Sequence, residues 1–318
     1  MPQPSYTDDQ LILAARLYYI DRLPQMQIGK LVNVSQSKIS RMLALARERG
    51  LVRVTVPDYE PRDLALERRL KSEFGVEAVV ARAATGTRLQ DLRQAVGYFA
   101  APVVSGWIGS GQAVAIAGGR TMRALVEHLR PREAVEGVTV VQAMGSIDST
   151  AGAYDAMELG RRLAAAWNGA LLTLNTPAIL PDAAMCRQLL RLDQIRTVLG
   201  KLAKVDLALV GVGSLENSVF LERRILGPRD ISSLREAGAA GEILGRFYDS
   251  EGRECDTRFR NRVVSLPLDK LRRVPQVVAV VAGADRSAAV AAAIRGGLIK
   301  TLVTDQGSAQ ALLSARTA

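Results

Sequence analysis

Residues 112–122 read QAVAIAGGRTM, an unbroken apolar run that ends in two glycines, an arginine and a threonine. A strand covered on both faces needs such a run, because neither side can show polar groups to solvent. Comparable runs recur at Glu77–Ala81, Val138–Ala143, Ala170–Leu174, Val205–Val212, Val277–Ala282 and Thr301–Val303, with helical stretches between them. This alternation predicts a doubly wound parallel α/β domain over residues 76–318. Ligands of such sheets bind beyond the carboxyl ends of the strands, so the residues after each run are the ones to read. Gly118 and Gly119 would let backbone approach a ligand, Arg120 adds a fixed charge, and Thr121 opens a helix, an arrangement suited to a phosphate. The dinucleotide fingerprint is excluded, since the earlier glycines of GSGQAVAIAGG precede the strand instead of following it. Other strand ends contribute Gln142, Gly213 and Ser214, and Thr304 with Asp305. Glu242 sits in the Gly241–Gly245 loop, and Lys300 immediately precedes the last strand. Asp148 and Asp155 read as helix caps.

Ahead of this domain, three amphipathic segments are expected: Asp8–Leu23, Gln25–Leu31 and Gln36–Arg49, with Pro24 between the first two and Asn33–Val34 as a tight turn before the third. The inward residues of the third are Ile39, Met42, Leu43 and Ala46, with Ser35 as its N-cap and Gly50 as its C-cap. Two helices joined by a tight turn read as a helix-turn-helix, whose last helix enters the major groove by its N-terminal end. That end is SQSKISR, residues 35–41, so Ser35, Gln36, Ser37, Lys38, Ser40 and Arg41 are the candidate DNA contacts. Leu51–Val56 alternates like a strand, predicting a β-wing from which Arg53 reaches a phosphate. The domains are expected at 1–56 for DNA binding, 57–75 for a linker and connecting helix, and 76–318 for ligand binding and assembly.

The 318-residue chain carries 42 Lys and Arg against 32 Asp and Glu, a formal net charge of +10, which suits an anionic partner. Eight basic and six acidic residues lie in the first 60, so the DNA reading rests on the helix pattern and not on bulk charge. Cys186 and Cys255 stand far apart, which excludes a disulfide framework and a zinc ribbon and fits a reducing cytoplasm. The lone His128 excludes chemistry that needs two imidazoles and falls within a predicted helix, away from the strand ends. No metal or cofactor is expected, nor any segment that enters a membrane.

Six motifs in order carry a resemblance over nearly the whole chain. They are AARLYYIDRLPQMQIGKLVNVSQSKISRMLALARERGLVRV (14–54), GGRTM (118–122), VVQAMGS (140–146), LALVGVGS (207–214), GEILGRFYDSEG (241–252) and IRGGLIKTLVTD (294–305). With them the chain resembles the SorC family of bacterial transcriptional regulators, sugar-binding relatives of the DeoR type. The resemblance implies a winged helix-turn-helix joined to an effector domain similar in fold to phosphosugar isomerases and deaminases. It also implies a phosphorylated sugar or polyol as effector, double-stranded operator DNA as partner, and a tetramer built as a dimer of dimers. The family's phosphate turn maps onto Gly118, Gly119, Arg120 and Thr121, its strand-end glutamine onto Gln142, its acidic loop residue onto Glu242, and its lysine onto Lys300. That acidic position is commonly Asp, so Glu242 is a longer arm. A ligand-controlled DNA-binding regulator of a carbohydrate or polyol operon is therefore the expected function. The alternative is a sugar-phosphate isomerase or deaminase with an appended DNA-binding module.

Overall fold

A computed structural model describes residues 6–55, 59–83, 86–148, 152–216 and 218–317. The chain divides into two compact units, Met1–Tyr59 and Glu60–Ala318.

In the first unit, Thr7 caps the Asp8–Ala15 helix through a reciprocal pair with Gln10. The expected helix to Leu23 instead loosens into a π-helical turn at Arg16–Ile20, and Arg22 takes a left-handed φ of 56° just ahead of Pro24. A proline cannot supply the amide that would prolong the helix, so the chain leaves it early. Helices Gln25–Leu31 and Gln36–Glu48 follow. Between them Asn33 is left-handed and the Val34 amide donates to the Gly29 carbonyl. A Cβ on Gly29 would meet that turn at 2.6 Å from the Val34 oxygen, which explains the glycine. Leu11, Ile28, Ile39 and Ala46 are wholly buried at the centre of the bundle. Ile12, Met26 and Leu31, apolar members of the amphipathic segments, are exposed.

Among the described residues no strand of a wing is formed. Residues 51–55 hold no strand, and Val56 lies outside the described residues. The Leu51 and Val52 amides turn back to the Ala46 carbonyl while their side chains pack on the bundle. Their alternation thus serves to cover a helix end, and no partner strand exists among the described residues.

In the second unit, nine strands are present among the described residues. They are β1 (Glu77–Ala81), β2 (Ala113–Ile116), β3 (Thr139–Gln142), β4 (Ala170–Leu172), β5 (Leu207–Val210), β6 (Gly241–Ile243), β7 (Arg246–Tyr248), β8 (Gln276–Val280) and β9 (Thr301–Asp305). A strand falls on every expected apolar run, β8 starting one residue earlier and β9 ending two residues later than expected. Seven of the strands form a parallel sheet in the order β1-β9-β8-β5-β2-β3-β4. All four residues of β2 and of β5 are buried, with one apolar layer on each face of the sheet. The Leu64–Phe74 helix belongs to this unit, its Leu66 and Leu70 lying in one of those layers, where a connecting helix between domains was expected.

From β2 the chain steps outward to β3 and β4, then returns to the other side of β2 as β5 and continues to β8 and β9. The direction of winding reverses between β2 and β5, which opens a crevice at their carboxyl ends. The antiparallel hairpin β6–β7 was expected as a loop; Gly245 and the left-handed Leu244, with φ of 55°, make its tight turn.

Candidate effector site and nucleic-acid face

On the first unit, the Ser35 hydroxyl accepts from the Lys38 amide and so caps the Gln36–Glu48 helix, while also bonding to the Ser37 hydroxyl at 2.9 Å. With Ile39, Met42 and Leu43 buried, Gln36, Ser37, Lys38, Ser40 and Arg41 all face solvent at the helix start. This is a surface of amide, hydroxyl and cationic donors, the types that read base edges and phosphates. Arg53 is exposed on the irregular stretch where the wing was expected.

On the second unit, a cavity of about 250 Å³ occupies the switch point of the sheet. Its walls come from the exits of β2 (Gly118–Thr121), β3 (Met144, Gly145), β5 (Gly211–Gly213) and β8 (Val281, Ala282). The two glycines after β2 have different reasons. A Cβ on Gly118 would sit 2.6 Å from the Tyr154 carbonyl oxygen, so Gly118 answers to the chain packed over it, which corrects the expectation of an open backbone. Gly119 has φ of 129°, a conformation that residues with a Cβ rarely adopt, and its surroundings are open. Its amide donates to the same Tyr154 carbonyl at 2.8 Å. Arg120 reaches Glu222 at 2.6 Å, and Thr121 lines the cavity.

Glu242 enters from β6. Gly213 and Glu242 exchange backbone hydrogen bonds of 3.0 and 2.8 Å, pinning the hairpin to the β5 exit. The Glu242 carboxylate accepts from the Ser218 hydroxyl and the Gly245 amide, and burial pushes its pKa up to about 7. Asp155 caps the Ala156–Ala166 helix as expected, and burial raises its pKa as well. Three arginines that sequence reasoning missed also line the cavity: Arg223, after the Val219–Glu222 helix, Arg93 and Arg286. Arg93 projects from the Leu89–Ser105 helix, and Arg286 follows the β8 exit. Arg93 is half-buried, and its pKa is lowered by burial and by the positive charges of Arg286 and Arg120. With Arg223, which pairs with Asp148 at 3.3 Å, four guanidiniums line one opening, and Arg93, Arg120 and Arg286 are close enough for their charges to act on one another. Arg286 could have been found by reading GADR after VVAVVA, whereas Arg93 lies mid-helix and carries no local signal.

Five expected residues do not line the cavity: Thr304 and Asp305, buried at the end of β9, and Gln142, Ser214 and Lys300. Gln142 is buried beneath it, its side-chain oxygen accepting from the Leu174 amide at 3.1 Å. Ser214 is half-buried beside Gly213 but outside the lining. Lys300 precedes β9 and therefore lies at the amino edge of a parallel sheet, the edge opposite the cavity. Its ammonium is spent on the carbonyls of Val274 and Pro275, so it holds the loop before β8 instead of a ligand.

Comparison with known proteins decides what this architecture belongs to. The family model for a sugar-binding domain matches residues 61–314. The chain belongs to the SorC family. The crystal structure of the full-length sorbitol operon regulator SorC from Klebsiella pneumoniae superposes with a TM-score of 0.73 at 28% identity, covering 96% of this chain and 99% of that one. The transcriptional regulator LsrR of Enterobacter sp. (strain 638) is 29% identical over 97% of this chain and 94% of its own. The deoxyribonucleoside regulator of Bacillus subtilis (strain 168) is 28% identical over 95% and 96%. In this SorC-family chain no helix among the described residues is long and apolar enough to cross a membrane. Nor do the described residues contain a group of three or more His, Cys, Asp or Glu able to hold a metal ion.

Proposed function

We propose that the protein is a DNA-binding transcriptional regulator of a carbohydrate or polyol operon, and that its effector is a phosphorylated sugar or polyol bound in the switch-point cavity. The observation that carries the effector's class is the convergence of Arg93, Arg120 and Arg286 on one opening. The charges of Arg286 and Arg120 act against that of the half-buried Arg93, and a phosphate that accepts from several of them relieves the repulsion. In this reading the carboxyl groups of Glu242 and Asp155, both in the lining, bond sugar hydroxyls. Glu242 with its elevated pKa can serve as donor when protonated and as acceptor when charged. His128 stacks edge-on against Tyr98 and does not line the cavity, so the isomerase or deaminase alternative lacks an imidazole there.

The DNA contacts in this reading are Gln36, Ser37, Lys38, Ser40 and Arg41, with Ser35 holding the helix and Arg53 reaching the backbone. One such helix reads one half-site, so the protein acts as a homo-oligomer, a tetramer by the family resemblance, in the cytoplasm. The test is a gel shift on the DNA upstream of its own gene, against unrelated competitor DNA, across a panel of sugar and polyol phosphates and their unphosphorylated parents. Specific binding altered by a phosphorylated compound and not by its parent supports the reading. Alteration by an unphosphorylated parent alone overturns the phosphate assignment, and turnover of any compound without specific DNA binding favours the enzyme.

A further inference from the structure

Beyond the cavity wall at β8, two sets of largely part-buried hydrogen bonds, joined through the Asp305–Gln306 peptide, run across the carboxyl edge of the sheet to residues 61–66. The β8 exit turns at Gly283, whose φ is 99° and whose amide donates to Asp305 Oδ2 at 3.0 Å. Arg286 is carried on that turn and returns a hydrogen bond to the Ala282 carbonyl. Asp305, only 3% exposed at the end of β9, also accepts from the Ser308 amide and hydroxyl. The next residue, Gln306, donates to Asp63 Oδ2 at 2.7 Å and accepts from the Ala83 amide. Asp63 caps the Leu64–Phe74 helix through the Ala65 and Leu66 amides. Its own amide donates to the Val80 carbonyl at 2.8 Å, and Arg82 donates to the Pro61 carbonyl. Residues 61–63 are thereby stitched to β1, the edge strand of the sheet, directly after the boundary at Tyr59–Glu60. The register sets Ala81 of β1 beside Asp305 of β9, so the stitched segment and the β8 turn are served by the same two residues.

We propose that the β9 exit, Asp305–Gln306, couples occupancy of the cavity to the segment 61–66 that anchors the incoming chain. The coupling rests on the reading of the cavity as the effector site. A ligand phosphate that draws on Arg286 shifts the Gly283 turn, and the buried Asp305 carboxylate cannot give up the Gly283 amide without a replacement. The displacement passes to Gln306 and from it to Asp63. Gln306 is a positioning residue; it does not line the cavity.

The test uses the full chain and hydrogen exchange. Asp63→Ser keeps an N-cap acceptor for the Leu66 amide but is too short to meet Gln306. Without any ligand, this variant is expected to raise exchange at the Gly283 amide by at least about fivefold. Exchange at Leu66 should stay within about twofold, the scatter of uncoupled sites. An unchanged Gly283 amide overturns the proposal. Gln306→Ala supplies the second arm, with inorganic phosphate as the probe. Phosphate should slow exchange at Gly283 in both proteins but at Ala65 and Leu66 only in the wild type; equal slowing at Ala65 and Leu66 in both overturns the coupling. Phosphate that leaves Gly283 unaltered in the wild type counts against the anion reading of the cavity, a separate failure, and the unliganded Asp63→Ser comparison still decides the coupling.

Discussion

In the first unit every side chain assigned to direct reading of DNA comes from one helix start, Gln36 to Arg41, and its cap. In the second, the cavity draws on four strand exits, one hairpin and a distant helix, from Arg93 to Arg286. The first arrangement is local: helical periodicity that buries Ile39 and Met42 turns the remaining side chains outward without help from elsewhere. The second exists only when the sheet closes, because its members are tens of residues apart in the chain and meet at a reversal of winding. A surface helix can therefore change its DNA preference residue by residue, whereas the cavity answers to the packing of the whole sheet.

The sharpest way to break this contrast is to damage the bundle alone. Ile28→Ala empties a wholly buried site in the three-helix core and is expected to cost about 2–5 kcal/mol there. Calorimetry of the full chain should show the bundle melting earlier and the sheet unit unmoved, with DNA binding lost and effector binding kept. A sheet transition that moves equally would show that the units do not fold independently. The converse change, Arg93→Ala with Arg286→Ala, should weaken a phosphorylated effector by about a hundredfold, near 3 kcal/mol, and leave effector-free DNA affinity unaltered. Titration calorimetry with gel shifts reads both quantities, and retention of the effector would move the phosphate elsewhere in the cavity.

Glu242 sharpens the comparison through pH. Its carboxyl titrates near 4.5 when unfolded and about 7 in the folded chain, because burial disfavours the charge. The folded state thus holds a proton that the unfolded state has released, and stability falls as pH rises between those values, by up to about 1.4 kcal/mol per pH unit, then levels off. Glu242→Gln should remove that slope; denaturant melts at pH 5 and pH 8 compare the two. The smallest expected effect belongs to Ser35→Ala, which deletes the cap of the recognition helix for about 1 kcal/mol and weakens DNA binding without touching effector affinity.

The legible parts of the molecule follow the same division. Seven apolar runs located the sheet because strands covered on both faces are mostly apolar, with polar residues gathered at their ends, and Gln36, Ser37, Lys38, Ser40 and Arg41 announced their exposure by period alone. Lys300 misled because its position beside a strand was legible but the edge on which it falls was not: a residue before a parallel strand lies at the amino edge, away from ligand. Gln142 misled differently, since a polar residue at a strand end can serve a neighbouring backbone amide as readily as a ligand. LVRVTV alternated as a strand does, yet pairing needs a partner, and covering the helix end was the alternative the chain adopted.

The amino-acid sequence by itself determined the helix-turn-helix, the seven strands, the exposed start of the Gln36–Glu48 helix and the glycine turn after β2, because each depends on contacts within one turn of helix or on the burial of one strand. Tertiary structure alone decided that Arg93 and Arg286 join Arg120, that Glu242 is lifted into the cavity by a hairpin tied to β5, and that Asp305 and Gln306 connect the cavity edge to residues 61–66. These depend on strand order, and strand order is set by the closing of a core whose members are distant in the chain.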